Sequence, residues 1–245
     1  MIEIKNVWKT FNGNEVLRDL SLDISQGETI AIVGSSGCGK TVLLKHILGL
    51  LEPDRGEILV DGVNINEDSA HLFEIRKKFG MVFQSSALFD SLNVIQNVTI
   101  GIREHFPKMD LKEMEEIGKE KLALVGLDES SFTKKPQEIS GGMKKRVAIA
   151  RAISLDPEYI IYDEPTTGLD PIICDRMNQL MLHVKDKLGK TTVMVTHDLN
   201  SAFKVADRIA MLSDGEIVFD GTPKEALKTD NKHMSLFIKS SSLQV

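Results

Sequence analysis

The sequence predicts an α/β fold with a mainly parallel sheet that helices cover on both faces. Apolar runs such as "TIAIV" at 29–33 and the start of "YIIYDEP" at 159–165 are typical of buried strands. Strands and helices alternate before and after the middle of the chain, as in strand–helix–strand units. The interval 85–154 shows helical spacing and no clear strand, so we expect it to be a helical insertion.

The first part of the chain is predicted to begin with three strands inside residues 1–33. "IEIKNVW" and "EVLRDLSLDI" alternate between apolar and polar residues, "TIAIV" follows, and turns are expected at Gly13 and at 26–27. A helix is predicted over about 40–50. A turn, a short strand and a second turn fill 52–62, and a helix at 72–78 precedes a strand at 79–84.

The remaining elements follow from the same patterns. Residues 109–127 and 141–155 have helical spacing within the insertion. A strand (159–165), a helix (171–189), a strand (191–198) and a helix (199–206) come next. A hairpin at 208–221 and a short helix at 223–228 follow, and residues 240–245 are expected to fray.

The composition is that of a globular protein: 245 residues, 42% hydrophobic and 27% charged. The net charge of −6 argues against a nonspecific nucleic-acid binder, which would carry a basic excess. No apolar run reaches the length of a membrane span, and the N-terminus reads as a strand and not as a secretory signal. Cys38 and Cys174 lack metal-type spacing, so we expect a reduced, cytosolic protein.

Residues 34–41, "GSSGCGKT", match the pattern G-x-x-x-x-G-K-[ST] through Gly34, Gly39, Lys40 and Thr41. Glycines let successive N–H groups converge on one point, and the following helix adds its positive end. Lys40 would contact the outer phosphates, and the Thr41 hydroxyl suits a magnesium ion. We therefore expect a polyphosphate site here and not an ordinary turn. Cys38 would be a small filler in the loop, with a redox role as the alternative.

Two adjacent carboxylates, Asp163 and Glu164, end the apolar strand "YIIYDEP". Carboxylates at the end of a buried strand are costly to desolvate, which favours a functional interpretation over a pair of solvated acids. We expect Asp163 to belong to the magnesium shell and Glu164 to orient and polarise the attacking water.

A third segment distinguishes among classes of phosphate-loop protein. In "EISGGMKKRVAIARAI", Ser140, Gly141 and Gly142 precede an amphipathic helix whose N-terminus can bind an anion, although such a tripeptide alone is often only a helix cap. Its place just before "YIIYDEP" makes the chain resemble the nucleotide-binding subunits of ATP-binding cassette (ABC) transporters. The other motifs follow the family's order: Gln84 in "FGMVFQSSALF" resembles the Q-loop glutamine, "TGLDP" the D-loop, and His197 in "VMVTHD" the switch histidine.

The resemblance implies a role for each motif. Phe11 would stack on adenine, unless it is a core-facing strand residue. Gln84 would bind Mg²⁺ together with Thr41 and Asp163 and relay the nucleotide state to a membrane partner, unless it is only a polar strand end. His197 would contact the outermost phosphate and, with Glu164, form the catalytic pair. The residues expected to bind ATP are Phe11, Gly34, Ser35, Ser36, Gly37, Cys38, Gly39, Lys40, Thr41, Val42, Gln84, Ser140, Gly141, Gly142 and Asp170.

The resemblance also implies the architecture. The whole chain, 1–245, would be one nucleotide-binding domain of the P-loop NTPase (RecA-like) class. Residues 1–84 and 155–245 would form its core with an N-terminal antiparallel β subdomain, and 85–154 the helical subdomain that carries the signature. Each ATP would lie between the phosphate loop of one chain and the Ser-Gly-Gly helix of another, with Asp170 reaching across, so we expect a homodimer.

Three positions depart from the family's pattern. Ile139 replaces the usual leucine before Ser140, and Met143 replaces the signature glutamine. The glycine N–H groups should still bind the outer phosphate, so we expect activity with an altered dimer contact. Val42 stands where many relatives have a second hydroxyl, and one contact to the innermost phosphate would be lost.

The same segments indicate a cargo. "FQSSALFDSLNVIQNV", "GIREH" and "SGGMKKRVAIARAI" resemble the Mla and MCE-type phospholipid-transport ATPases, particularly in the methionine of the signature. The resemblance implies a peripheral subunit on the cytoplasmic face of the inner membrane, a permease partner, possible lipid-binding accessory proteins and no nucleic acid. The alternatives are a cassette that serves amino acids, metals or drugs, a cell-division-type regulatory ATPase, or a soluble cassette of DNA repair or translation.

Overall fold

The computed structural model describes residues 1–67 and 69–241. Its strands are β1 (Ile2–Phe11), β2 (Asn14–Ile24), β3 (Thr29–Val33), β4 (Arg55–Val60), β5 (Val63–Asn64), β6 (Phe79–Val82), β7 (Tyr159–Asp163), β8 (Thr191–Thr196), β9 (Arg208–Ser213) and β10 (Glu216–Gly221). Its α-helices are α1 (Lys40–Ile47), α2 (Ser69–Lys77), α3 (Val94–His105), α4 (Leu111–Leu124), α5 (Gly141–Ala152), α6 (Pro171–Leu188), α7 (Leu199–Val205), α8 (Pro223–Lys228) and α9 (Lys232–Ser240). Short 3₁₀ turns occupy Glu129–Ser131 and Pro136–Glu138.

Backbone contacts divide the chain into two compact units. The first unit comprises Met1–Lys78 with the described residues from Lys190 onward, and the second unit comprises Phe79–Gly189. The subdomain boundaries expected from the sequence, 1–84 with 155–245 and 85–154, stay a prediction. Within residues 1–67 and 69–241, no helix combines the length and the hydrophobicity needed to cross a bilayer.

The first unit contains an antiparallel sheet in the order β2-β1-β4-β5. The expected alternation is confirmed, because Leu17, Leu20, Leu22 and Ile24 of β2 are all buried. The three-residue step from Leu17 to Leu20 keeps one face because the pairing with β1 is irregular there. This sheet is the N-terminal β subdomain that the family resemblance implies.

A second sheet of the first unit positions the phosphate loop. Its strands have the order β10-β9-β3-β8; β3 pairs in parallel with β8 and β9, and β9 and β10 form the predicted hairpin. All five residues of β3 are buried, as its continuous apolar sequence predicts. Val33 is paired with Thr196. The segments that follow these two residues therefore start at the same edge of the sheet.

The second unit combines a parallel strand pair with four helices. Strands β6 and β7 run side by side from the Phe79–Tyr159 pair to the Val82–Tyr162 pair. Helices α3, α4 and α5 pack on one another, and α5 also packs on β6. The parallel pairing confirms the α/β class within this unit, and the helices α3 to α5 confirm that 85–154 is helical.

Several boundaries differ from the sequence-based expectation. Strand β6 ends at Val82, so Gln84 lies in the following loop and not at the end of a strand reaching residue 84. Helix α1 ends at Ile47, before residue 50, because Gly49 has a φ of 62°, in the left-handed region. Helices α3 and α9 were not predicted as separate elements. The expected fraying of 240–245 concerns mostly 242–245, which lie outside the described residues.

Candidate functional site

The phosphate-binding loop lies between β3 and α1, as the sequence predicts. A Cβ on Gly34 would lie 2.3 Å from the main-chain oxygen of Leu212 and 2.7 Å from Cys38 Sγ. Gly39, at the other end, precedes α1 with a φ of 109° and provides no side-chain cap. Close approach at one end and a left-handed backbone at the other therefore both require glycine.

Lys40 holds its charge inside this loop. Its side chain is 7% exposed, and Nζ donates to the main-chain oxygens of Gly34 (2.8 Å) and Ser35 (2.9 Å). The neighbouring Thr41 is exposed, and Val42 is half-buried. Lys40 and Thr41 are consecutive residues at the start of α1, so this helix start offers an ammonium for a phosphate and a hydroxyl for its magnesium ion.

The start of α1 is suited to an anion. Residues 35–37 are exposed, and the first turn of the helix contains no acidic side chain that would neutralise its positive end. Burial raises the pKa of the Cys38 thiol, against the opposing effect of Lys40. A neutral thiol favours the interpretation of Cys38 as a small filler. The loop, its ammonium and the uncapped N–H groups fit a polyphosphate.

His197 lies at the same edge of the sheet as this loop. It follows Thr196, the partner of Val33, just as Gly34 follows Val33. The ring is exposed, and the next residue, Asp198, caps α7 by accepting from Asn200 N. The structure therefore brings the predicted switch histidine and the phosphate loop to one edge of the first unit.

Phe11 is the last residue of β1 and is 39% exposed, so it is not a core residue. Lys9 Nζ lies 5.5 Å from the centre of its ring and also donates to Asp54 Oδ1 at 2.8 Å. A lysine over one face and solvent beside the ring leave an aromatic surface that can stack on a base. The adenine contact stays a prediction.

The predicted magnesium and water-activating residues of the second unit lie at one edge of its strand pair. Because Val82 pairs with Tyr162, the loop that contains Gln84 begins beside Asp163. Glu164 follows with a φ of 48°, a left-handed conformation that costs a non-glycine residue about 1–2 kcal/mol. Its Oε2 accepts a hydrogen bond from Thr167 Oγ1 at 3.0 Å. A strained and oriented carboxylate is typical of a functional site.

Ser140 caps α5, and its Oγ accepts from Met143 N at 3.3 Å. Its side chain is exposed; a Cβ on Gly141 would meet nothing within 4 Å, and one on Gly142 would make only ordinary contact with Ile173. The start of this helix is consequently open to an anion. Ser140 also caps the helix, which was the alternative interpretation of the Ser-Gly-Gly tripeptide.

Asp170 caps α6 within its own chain. One carboxylate oxygen, Oδ1, accepts from Ile172 N at 3.0 Å and from Ile173 N at 3.1 Å. The sequence predicted a contact with a second subunit at this position, and that contact stays a prediction. The cap explains locally why an acid precedes Pro171.

The predicted site residues are distributed over both units. Those of the first unit are Phe11, Gly34, Ser35, Ser36, Gly37, Cys38, Gly39, Lys40, Thr41, Val42 and His197; those of the second are Gln84, Ser140, Gly141, Gly142, Asp163, Glu164 and Asp170. Over the described ranges, no three His, Cys, Asp or Glu side chains form a metal site by themselves.

Sequence reasoning missed two cations of α5 that bind the loop after β6. Lys145 Nζ donates to the main-chain oxygen of Gln84, and Arg151 donates to those of Ser86 and Ala87. Lys145 lies one turn before Ile149 on the buried face of the helix. A lysine in an otherwise apolar stripe was the available signal.

The sequence and the fold were compared with known proteins. A family model described as "ABC transporter" matches residues 17–167. "Probable ribonucleotide transport ATP-binding protein mkl" of Mycobacterium leprae (strain TN) is 44% identical over 94% of this chain and 66% of its own length. The chain thus spans 64 to 66% of the length of such mycobacterial relatives.

Two further comparisons cover nearly the whole of both chains. The "Intermembrane phospholipid transport system ATP-binding protein MlaF" of Haemophilus influenzae is 40% identical over 99% of this chain and 91% of its own length. The solved dimer of an ATP-binding cassette bound to ADP and Pi has a TM-score of 0.82, with 36% identity over 91% of this chain and 99% of that one.

Proposed function

The chain belongs to the ABC transporter family, and from that premise we propose that it binds ATP with Mg²⁺ and hydrolyses it as a subunit of a bacterial membrane transporter. The observation that carries the proposal is the construction of residues 34–41. Two glycines that the backbone requires, an uncapped helix start and an internal ammonium converge on one anion site.

Six of the predicted residues would act directly on the phosphates, the metal ion or the water. Lys40 would neutralise the outer phosphates, while Thr41, Gln84 and Asp163 would hold a magnesium ion, which would supply further positive charge against the phosphates. Glu164 orients and polarises the water that attacks the terminal phosphorus, and His197 contacts the outermost phosphate. The assignment of these residues to one nucleotide follows from the order of their motifs in the sequence.

The active form is proposed to be a homodimer. The solved relative is a dimer, and the open start of α5 at Ser140 is the surface on which the phosphate of a second copy's ATP would lie. Each chain then supplies a phosphate loop to one site and a Ser-Gly-Gly helix to the other.

The experiment replaces Glu164 by glutamine in the purified chain with its membrane assembly. We expect ATP binding to persist, a dimer to accumulate with ATP and hydrolysis to fall by about 10²–10⁴-fold, because the glutamine cannot accept a proton. ATP turnover, and mass by light scattering, measure these effects. The control is Glu158→Gln, an exposed acid just before the same strand, which should hydrolyse ATP at the wild-type rate. Wild-type turnover by the Glu164 variant would refute the assigned role.

We propose phospholipid as the cargo, moved between the inner and outer membranes. Support comes from the 40% identity to the Haemophilus phospholipid-transport protein over almost its whole length and from Met143 in the signature. The chain would then lie on the cytoplasmic face of the inner membrane, bound to a permease of the Mla or MCE type.

A second candidate cargo is a ribonucleotide, which the 44% identity to the mycobacterial relatives supports. Purification of the native complex with its bound lipids distinguishes the two. A permease accompanied by a lipid-binding protein and by bound phospholipid supports the first. Recovery of a permease with a soluble nucleotide-binding protein, and no enriched phospholipid, would overturn it.

A further inference from the structure

The loop from Gln84 to Leu92, which we call the Gln84 loop, is held by side chains from two helices of the second unit. From α5, Lys145 donates to the carbonyl of Gln84, and Arg151 donates to the carbonyls of Ser86 (2.8 Å) and Ala87 (2.6 Å). Two side chains of α5, six positions apart, thus bind the first part of the loop through its main chain.

The second part of the loop is held from α3. The buried side chain of Asn97 donates to the carbonyls of Phe89 (3.1 Å) and Leu92 (3.2 Å) and accepts from Phe89 N (2.8 Å). These hydrogen bonds are made to main-chain atoms. They therefore hold the backbone of the loop without engaging its side chains. The side chain of Gln84 itself is exposed.

Burying the ammonium of Lys145 to hold this loop costs desolvation free energy. It is 5% exposed, and a buried ammonium requires strong compensation. Burial lowers the pKa of Lys145, and the negative charges of Asp163 and Glu164 oppose that effect. The compensating charges are therefore the two carboxylates at the end of β7, to which the site assigns magnesium binding and water activation.

The backbone beside Gln84 is strained as well. Ser86 and Ala87 have φ values of 64° and 45°, in the region that non-glycine residues disfavour. Their carbonyls are the ones that Arg151 binds. A strained backbone persists when the surrounding contacts over-determine it, and such strain concentrates at functional sites.

We propose that Lys145 is a positioning residue for the reaction proposed above: by holding the Gln84 carbonyl, it fixes the direction in which the Gln84 side chain reaches the metal-bound nucleotide. The physical reason is the planarity of the peptide unit. A held carbonyl restrains the peptide unit after Gln84, and with it the rotation about the Cα–C bond that relates this unit to Cβ. The same helix begins at Ser140, so Lys145 also ties the Gln84 loop to the helix that carries the signature. This inference rests on the proposed ATP hydrolysis.

A double-mutant cycle in the full chain with its membrane assembly tests this role. Lys145→Met keeps the length of the side chain and removes its donors, and Gln84→Ala removes the side chain on which Lys145 is proposed to act. We expect Lys145→Met alone to lower kcat by about 10- to 100-fold, the usual effect of removing a group that orients a metal ligand. The KM for ATP should change less than kcat, and the Mg²⁺ concentration for half-maximal rate should rise.

In the Gln84→Ala background, the same replacement should lower kcat by less than about twofold, because there is no longer a side chain to orient. Equal losses in both backgrounds would overturn the proposal, since they would indicate a packing role that is independent of Gln84. The control is Lys144→Met, a half-exposed lysine next along the helix, which should retain wild-type kcat.

If the Lys145→Met protein does not fold, Lys145→Gln provides a second variant for the test. Glutamine retains an N–H that can donate to the Gln84 carbonyl, so most of kcat should return; a folded Lys145→Gln protein as inactive as Gln84→Ala would overturn the proposal. The ATPase assay of the wild-type protein distinguishes failure of the proposed function from failure of the positioning role. No hydrolysis by wild type refutes the proposed function, whereas an active wild type with an equally active Lys145→Met refutes only the positioning role.

Discussion

Replacement of Gly80 by alanine should separate β6 from α5. A Cβ at this position would lie 2.1 Å from the main-chain oxygen of Ala152, 2.9 Å from its carbonyl carbon and 3.0 Å from Cγ of Pro157. None of these atoms belongs to a side chain that can rotate away. Since Cβ atoms do not approach other heavy atoms closer than 3.0 Å, strand and helix would have to separate by roughly 1 Å in a close-packed interior.

The expected cost is that of an overpacked core, about 1–3 kcal/mol of unfolding free energy. Urea unfolding followed by circular dichroism measures it as a lower midpoint. Gly101→Ala is the matched control, because it adds the same methyl group in the interior of α3, where the new Cβ would lie 3.4 Å from Leu155 Cδ1, an ordinary contact. We expect that variant to gain up to about 1 kcal/mol from helix propensity.

Comparison of Gly80→Ala with Gly101→Ala tests whether the collision with Ala152 causes the loss of stability. A Gly80→Ala midpoint at or above the wild-type value would show that the interface yields without cost. Equal losses in the two variants would show that a methyl group, and not its collision with Ala152, is responsible. Because β6 leads directly to Gln84, the ATPase rate of a folded Gly80→Ala protein should fall as well.

The remaining predictions concern Lys40 and His46. Lys40→Ala should weaken ATP binding by about 1.5–3 kcal/mol, or roughly 10- to 100-fold, through loss of a charge-assisted contact; titration calorimetry measures this, and unchanged affinity, or an equal loss in the exposed Lys45→Ala control, would contradict it. Burial lowers the pKa of His46, which lies fully buried with Nδ1 bonded to the carbonyl of Val42 at 2.7 Å. As pH falls through the unfolded value of about 6.5, the unfolded chain binds more protons than the folded one, so stability declines. The urea midpoint should therefore drop more in wild type than in His46→Leu between about pH 7.5 and about pH 5.5; parallel drops would refute the assignment.

The accuracy of the sequence-based prediction was greatest where local rules decide. The continuous apolar run of β3 predicted burial on both faces, and all its residues are buried. The alternation in β1 and β2 predicted strands, with one apolar face on β2, and that face of β2 is buried. Gly34 and Gly39 were assigned from their spacing between an apolar strand and a helix, and the backbone requires glycine at both. Periodicity and backbone sterics act over a few residues, so they can be read without coordinates.

Prediction was weaker where an element ends. Helix α3 begins at Asn93 with a capping box to Gln96, a local signal that was present in "SLNVIQNV". Strand β6 was predicted to reach residue 84, whereas it ends at Val82 and the carbonyl of Gln84 accepts a hydrogen bond from Lys145. That bond joins residues 61 positions apart. A bond over that separation leaves no trace in the local sequence pattern.

The amino-acid sequence by itself determined the α/β class, the phosphate loop and the identity of the family, because glycines, apolar runs and motif order follow from short-range chemistry. The tertiary structure alone decided that Val33 and Thr196 share an edge, that Glu164 is held in a left-handed conformation, and that Lys145, Arg151 and Asn97 bind the Gln84 loop. These features depend on strand register and on how helices pack, and both are set by contacts between residues far apart in the chain.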